Sequence, residues 1–199
     1  MIGVADLRAA AGRLRDAMEA EADALNAADG ALGDGDLGVT MRRGSRAVAE
    51  RAEEMPEDDF GRALMVAAQA FTKASSSSYG TLMATGLMAA AKALRGRDAV
   101  EPSEVAGLVA AARDAMAARG KAALGGKTVL DSLDAMAGAL EGADDPAEAA
   151  LRAAQDAQAA FRERRATVGR ARIFGEKSVG MDDPGMMAMT RIVHAVTGR

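Results

Sequence analysis

The chain has 199 residues and no cysteine, which excludes disulfides, thiolate chemistry and cysteine-ligated metal sites. Its formal net charge of −4 argues against a general nucleic-acid-binding surface. No apolar run approaches the roughly 20 residues of a membrane span, and the N-terminus MIGVADLRAAAGRLRD has charges where a signal peptide is apolar, so we expect no membrane association and a cytoplasmic protein. Aromatic residues make up only 3% of a sequence rich in Ala, Leu, Val and Met, which predicts an all-α protein with a single domain, residues 1–199.

Apolar residues recur at helical spacing in eight segments. In the first segment, Leu7, Leu14 and Met18 share one face, and the helix is predicted to end near Gly30. Capping residues, prolines and glycines mark the ends of the others. In chain order these helices run from Thr40 to Met55, from an N-cap at Asp58 to the serine run, over 79–94, from a Ser103–Glu104 cap to Arg119, over Val129 to Leu140, from Asp145–Pro146 to about Arg165, and from Asp183–Pro184 to near Thr197.

The loops after the first, third, fifth and seventh helices are rich in Gly, Ser, Asp or Lys, whereas the breaks at Pro56 and Gly142 look like ordinary turns. In an up-and-down arrangement of helices, alternate loops lie at the same end. We therefore expect a functional site at one end of the bundle. The four loops that would meet there read GDGDLG, KASSSSYG, GKAALGGKT and GRARIFGEKSVGMDDPG.

Three carboxylates, of Asp29, Asp34 and Asp36, fall around the first of these loops. Anions this close repel one another unless a cation lies among them, and hard oxygen ligands favour Mg²⁺ or Ca²⁺. An EF-hand is excluded because Ser45 stands where that motif needs a bidentate glutamate. The alternative is that Asp34 and Asp36 are turn and N-cap residues of the second helix.

The sequence GGKT at 125–128 is not a P-loop, because Lys121 stands where the first glycine would be and no strand precedes it. Its glycine-rich backbone could still offer amides to an anion at a helix N-terminus. The serine run is either a linker or a set of hydroxyl and amide groups that donate hydrogen bonds to phosphate oxygens. Charged side chains of the last loop, Arg170, Arg172 and Lys177, are solvated surface by default, and beside the other loops they favour a phosphate partner.

Taken together, the loops offer what a magnesium–nucleotide site needs, because phosphoryl transfer depends mostly on positioning and charge neutralisation. The only histidine, His194, lies within the last helix and reads as an ordinary surface or core residue. No Ser–His–Asp arrangement can be built, and no residue is an evident base for an acceptor.

These four motifs, in this order and at this spacing, resemble the L subunit of dihydroxyacetone kinase, which is equivalent to the nucleotide-binding domain of single-chain dihydroxyacetone kinases. The resemblance covers nearly the whole chain and rests on the motifs GDGDLG, KASSSSYGT, GGKTVLD and GRARIFGEKSVGMDDPG. It implies a closed up-and-down barrel of eight antiparallel helices with the nucleotide at one end.

The resemblance also implies cofactors, partners and site residues. Asp29, Asp34 and Asp36 would bind two Mg²⁺ ions that bridge the phosphates of ADP or ATP. The acceptor, dihydroxyacetone or a related small ketose or polyol, would be held on a histidine of a partner K subunit, so no catalytic residue is expected in this chain. The donor would be free ATP, or bound ADP rephosphorylated by a phosphohistidine protein. The nucleotide would contact Leu37, Gly38, Val39, Thr40, Ala74, Ser75, Gly120, Val129, Arg170, Asp183, Pro184 and Gly185.

The chain departs from the pattern of that family at five positions. Leu37 and Met181 replace its usual histidines, Thr40 replaces asparagine, and Ser76 and Ser77 replace Gly-Pro. The departures beside the phosphates imply a changed donor preference or rate. Two other readings remain: a non-catalytic nucleotide- or partner-binding regulator descended from this family, and a structural metal-binding bundle without nucleotide.

Overall fold

The computed structural model describes residues 1–75 and 77–199, and its regular structure is almost entirely helical. This confirms the all-α prediction. The helices of the described part are α1 (Val4–Leu32), α2 (Leu37–Glu50), α3 (Phe60–Ala74), α4 (Ser78–Ala93), α5 (Val105–Gly120), α6 (Val129–Leu140), α7 (Pro146–Arg162) and α8 (Pro184–Thr197). Short 3₁₀ helices cover Ala52–Glu54, Pro102–Glu104 and Ala171–Ser178, and the strands β1 (Ile2–Gly3) and β2 (Ala99–Val100) pair antiparallel.

The helices α6, α7 and α8 begin where the sequence predicted, and each start is fixed by a capping side chain. The Thr128 side chain accepts a hydrogen bond from the amide of Leu130 at the start of α6. Asp145 caps α7 and Asp183 caps α8, each followed by a proline at the first helical position, where its fixed φ suits a helix and its missing N–H costs nothing. These contacts lie within a few residues of one another, so they can be read directly from the sequence.

Several predicted boundaries are shifted, two of them by contacts to other elements. α2 begins at Leu37 and not at Thr40. α2 ends at Glu50 and not at Met55, because a 3₁₀ turn follows it. Arg8 of α1 stabilises that turn by donating to the backbone oxygens of Ala52, at 3.1 Å, and Met55, at 2.6 Å. The N-cap of α3 is Asp59, one residue after the predicted Asp58.

Another shifted boundary is the C-terminus of α7, which lies at Arg162 and not near Arg165. The backbone oxygen of Arg162 accepts hydrogen bonds from the side chain of Lys127, at 2.9 Å, and from the amide of Gly180, at 2.9 Å. Both partners are distant in sequence, so the helical pattern of α7 gives no sign of them.

Each helix packs against the next one along the chain, and α8 packs against α1 as well as α7. This contact order is the one that an up-and-down ring of eight helices requires. Methionine and alanine supply much of the buried interior. Within the described residues, no helix is long and apolar enough to cross a membrane.

Candidate functional site

A cavity of about 600 Å³ lies at the end of the bundle where α2, α4, α6 and α8 begin. The first residue of each of these helices lines it, and so do residues of all four Gly-, Ser-, Asp- or Lys-rich loops. This confirms that the alternate loops meet at one end. Because a helix N-terminus carries a partial positive charge, four of them around one cavity favour an anionic ligand.

The carboxylates of Asp29, Asp34 and Asp36 come together at this cavity, with one oxygen of each lying within 4.8 Å of the others. Asp36 occupies the N-cap position of α2, but its side chain accepts no capping hydrogen bond. Asp29 does this instead: its Oδ2 accepts from the amides of Asp36, at 2.9 Å, and Leu37, at 3.2 Å. Asp36 thus holds the N-cap position that the alternative reading predicts but makes no capping hydrogen bond, which leaves its carboxylate available to a cation.

The cluster suits a hard divalent cation. Its donors are carboxylate oxygens, one from the last turns of α1 and two from the following turn, which depends on Gly35 with φ at +78°. Asp34 forms an ion pair with Arg170 from the loop between α7 and α8. One arginine does not balance three carboxylates, so the cluster carries a net negative charge that Mg²⁺ would offset.

A second cavity, of about 240 Å³, adjoins the first and shares Asp36 and Arg170 with it. Its wall combines hydroxyl and guanidinium groups, including those of Thr40, Ser75 and Arg43. The carboxylate cluster thus lines the larger cavity, and its Asp36 also lines the smaller, polar one.

The larger cavity has an apolar wall that the sequence analysis did not identify. Its side chains come from helix ends and from the last two of the four loops, and in the sequence they look like ordinary core positions. The most informative are Leu82 of α4 and Met116 of α5, because each lies within a few residues of a polar loop. The full set is Leu32, Leu82, Met116, Ala122, Leu130, Val168 and Ala171.

Tyr79 also lines the larger cavity without having been predicted, and it joins the starts of α4 and α8. Its hydroxyl donates to the backbone oxygen of Gly185 at 3.0 Å. Burial raises the pKa of the Tyr79 hydroxyl, so the hydroxyl stays protonated at physiological pH and can donate this hydrogen bond.

Most of the predicted site residues line one of the two cavities, and their contacts with a nucleotide stay a prediction. Gly38 lines neither cavity. It faces α1, where a Cβ on Gly38 would lie 1.8 Å from the backbone oxygen of Ala22. Arg172 and Lys177 are exposed and also line neither. The larger cavity takes Asp29, Asp34, Asp36, Leu37, Gly120, Val129, Arg170, Asp183, Pro184 and Gly185, and the smaller one takes Val39, Thr40, Ala74 and Ser75.

The departures from the family pattern differ in how close they are to the site. Leu37 lines the larger cavity and Thr40 the smaller one. Ser77 lines both and caps α4 by accepting from the amide of Gly80 at 3.0 Å. Met181 lines neither cavity and packs against a small buried apolar cluster beside the last loop. Ser76 lies outside the described residues.

The GGKT turn does not present its lysine to the cavity. The amides of Gly125 and Thr128 donate to the carboxylate of Asp131, so these two donors are not free for an anion. Lys127 is 0% exposed, and its ammonium group donates to three backbone oxygens.

The carboxyl group of Asp183 has an unusual pKa. Burial raises the pKa of Asp183 to about 6, although hydrogen bonds from the amides of Met186 and Gly185 oppose that shift. The folded chain therefore binds this proton more tightly than the unfolded chain, in which the pKa is near 3.8.

The stability that this proton contributes is expected to be complete below about pH 4 and lost as the pH rises through about 6. Replacing Asp183 by Asn keeps a side-chain oxygen for capping and removes the titration. We expect the free energy of unfolding of the wild type, relative to that of Asp183→Asn, to fall by on the order of 2 kcal/mol over this range. Urea unfolding measured from pH 4 to 7 checks this, and a pH-independent difference would contradict it.

Comparisons with known proteins agree with this geometry. Residues 31–198 match the family described as the DAK2 domain. The chain is 32% identical to L-erythrulose 1-kinase of Mycolicibacterium smegmatis over 179 residues, which cover 86% of this chain but 31% of that protein. It thus spans about a third of the length of that relative.

Two further similarities come from a separate subunit and from a solved structure. The chain is 32% identical to the PTS-dependent dihydroxyacetone kinase, ADP-binding subunit DhaL, of Lactococcus lactis, over 81% of this chain and 79% of that subunit. It also matches the crystal structure of the C. freundii dihydroxyacetone kinase in complex with AMP-PNP and Mg²⁺, with a TM-score of 0.73 and 22% identity over 96% of this chain and 33% of that one. The structural match supports the fold.

Proposed function

The chain belongs to the DAK2-domain family, and from this premise we propose that it is the nucleotide-binding part of a dihydroxyacetone-kinase-like phosphotransferase. It carries ADP or ATP with two Mg²⁺ ions and passes a phosphoryl group to dihydroxyacetone or a related small ketose or polyol. The observation that carries this proposal is the cluster of Asp29, Asp34 and Asp36 at a cavity where four helices begin.

Each wall of the larger cavity suits one part of a magnesium nucleotide. The apolar wall with Leu82 and Met116 suits the base, and the helix N-termini suit the phosphates. Asp29, Asp34 and Asp36 would hold Mg²⁺, which neutralises phosphate charge when it is bound. Arg170 lines both cavities, so it can bind phosphate oxygens on the side of the smaller one.

The acceptor chemistry belongs to a partner in this proposal. His194 is exposed and lines neither cavity, and no other histidine occurs in the chain. A K-type subunit would therefore hold the ketose and activate its hydroxyl beside the smaller cavity. The donor is free ATP, or else ADP that stays bound and is rephosphorylated by a phosphohistidine protein.

Calorimetric titration of the purified protein with ADP and with ATP, each with and without Mg²⁺, tests the proposal. We expect binding that depends on Mg²⁺ and is lost in the double variant Asp34→Ala/Asp36→Ala, because these carboxylates would hold the cation. ADP that stays bound through purification would favour the rephosphorylated cofactor over free ATP. No binding by the wild type in any of the four titrations would contradict the proposal.

The same titration, followed by an activity assay, separates the kinase from a regulator descended from the same family. Magnesium-dependent binding without turnover of any ketose in the presence of its K-type subunit would favour the regulator. Met181 lines neither cavity but packs against Leu32 and Ala171, which line the larger one, so of the two replaced histidines only that at Leu37 lines the site directly.

A further inference from the structure

Lys127 is completely buried, and its ammonium group is fully hydrogen-bonded. It donates to the backbone oxygens of Arg162, at 2.9 Å, Arg164, at 2.9 Å, and Ser178, at 2.6 Å. A buried charge is costly unless its hydrogen-bonding groups are satisfied, and an ammonium has three donors for these three acceptors. Lys127 therefore has no N–H left for a ligand.

The charged form of Lys127 matches its surroundings. Burial lowers the pKa of the ammonium group, while the nearby carboxylates of Asp183, Asp182 and Glu163 oppose that shift. A neutral amine has two N–H donors, so it would leave one of the three carbonyl groups without its partner. Three acceptors at hydrogen-bond distance thus indicate a protonated lysine.

The three acceptors lie in residues 162–180, which comprise the last residue of α7 and most of the connection to α8, including Arg170. Its regular structure is the 3₁₀ helix Ala171–Ser178, interrupted at Gly175. Within the segment, the hydroxyl of Ser178 donates to the backbone oxygen of Gly175 and accepts from the amide of Ala166. A segment with so few regular hydrogen bonds depends on individual contacts for its conformation.

The turn that carries Lys127 touches this segment at two further points. The amide of Thr167 donates to the backbone oxygen of Gly126 at 3.2 Å. A Cβ on Gly126 would lie 2.6 Å from the side chain of Val168, so that side chain packs directly on the backbone of the turn. Val168 and Arg170 both line the larger cavity, and the contacts of the turn are thus next to the site.

We propose that Lys127 is a positioning residue: it holds residues 162–180 in the conformation that places Arg170 and Val168 at the nucleotide cavity. This inference rests on the proposed function for the identity of the ligand, a nucleotide. The effect of Lys127 on the conformation of residues 162–180 can be tested without any ligand. Lys127 thus acts through the backbone of another loop, and it differs in this respect from a lysine that binds phosphate directly.

The test compares Lys127→Met with Lys121→Met. Lys121 is exposed, lies in the same loop and also has a positive φ, so the control matches the change in charge and backbone. In the ligand-free protein we expect amides of residues 162–180 to exchange hydrogen at least about 10-fold faster in Lys127→Met and unchanged in Lys121→Met. If Lys127→Met does not fold, the milder Lys127→Gln replaces it. Equal exchange in the wild type and the folded variant would overturn the proposal.

A second readout separates positioning of Arg170 from a general loss of stability. We expect Lys127→Met to raise the dissociation constant for magnesium ADP about 10-fold in the wild-type background, but less than about 2-fold when Arg170 is already Gln. Equal effects in both backgrounds would overturn the link to Arg170. Failure of the wild type to bind magnesium ADP would contradict the proposed function and not the exchange result.

Discussion

Replacing Asp36 by Asn is expected to raise the dissociation constant for magnesium ADP by about 100-fold while leaving the stability of the ligand-free protein unchanged or slightly higher. The carboxylate of Asp36 accepts no capping hydrogen bond and lies within 4.8 Å of two other carboxylates. Removing its charge therefore relieves repulsion and costs no hydrogen bond or ion pair among residues 1–75 and 77–199. Calorimetry and urea unfolding measure the two effects on the same variant.

Asp29→Asn provides the contrast. Its Oδ2 accepts from the amides of Asp36 and Leu37, so Asp29 supports the start of α2 as well as lining the cavity. We expect this variant to lose magnesium ADP affinity and about 1 kcal/mol of stability, because a neutral amide oxygen accepts these two hydrogen bonds more weakly than a carboxylate oxygen does. Asp23→Asn, at an exposed position of the same helix, controls for the loss of a negative charge. Loss of stability in Asp36→Asn equal to that in Asp29→Asn would contradict the assignment of these roles.

The parts of the fold that could be predicted from the sequence are those set by local contacts. α6 begins where predicted, because Thr128 at its N-cap and Asp131 in its first turn form a capping box. The convergence of the four loops followed from the alternation of helix directions, which needs only the helix count. Similar reasoning could not place β1 and β2, because a two-residue pairing between distant segments leaves no periodic pattern.

The parts that could not be predicted depend on contacts between distant residues. Nothing in the sequence links Lys127 to the backbone of Arg162, 35 residues later. From the sequence, the GGKT motif therefore looks like a weak anion site, and its contact with the loop after α7 is not apparent. Leu82 and Met116 fit the helical pattern of a core, and only their place at the helix ends puts them on a cavity. In the same way, the turn geometry decides that Asp29, and not Asp36, caps α2.

Replacing Gly38 by Ala is expected to lower the free energy of unfolding by about 3 kcal/mol or more, even without nucleotide. A Cβ at this position would lie 1.8 Å from the backbone oxygen of Ala22 and 2.8 Å from Oδ1 of Asn26. The first of these atoms belongs to the backbone of α1, so α2 must move as a whole. The same Asn26 oxygen accepts from the amide of Val39 at 3.1 Å, and that contact would also be lost.

Gly12→Ala in α1 is the matched control, because a Cβ there meets nothing within 4 Å. Alanine in an open helical position should raise stability by about 0.5–1 kcal/mol, so the two glycine variants should differ in sign. Urea unfolding of both ligand-free variants measures this. The resemblance to dihydroxyacetone kinases implies that Gly38 contacts the nucleotide, and that role alone would leave the ligand-free stability unchanged. A large loss in Gly38→Ala would instead mean that the glycine serves the site by letting α2 approach α1, which in turn brings Asp36 to Asp29.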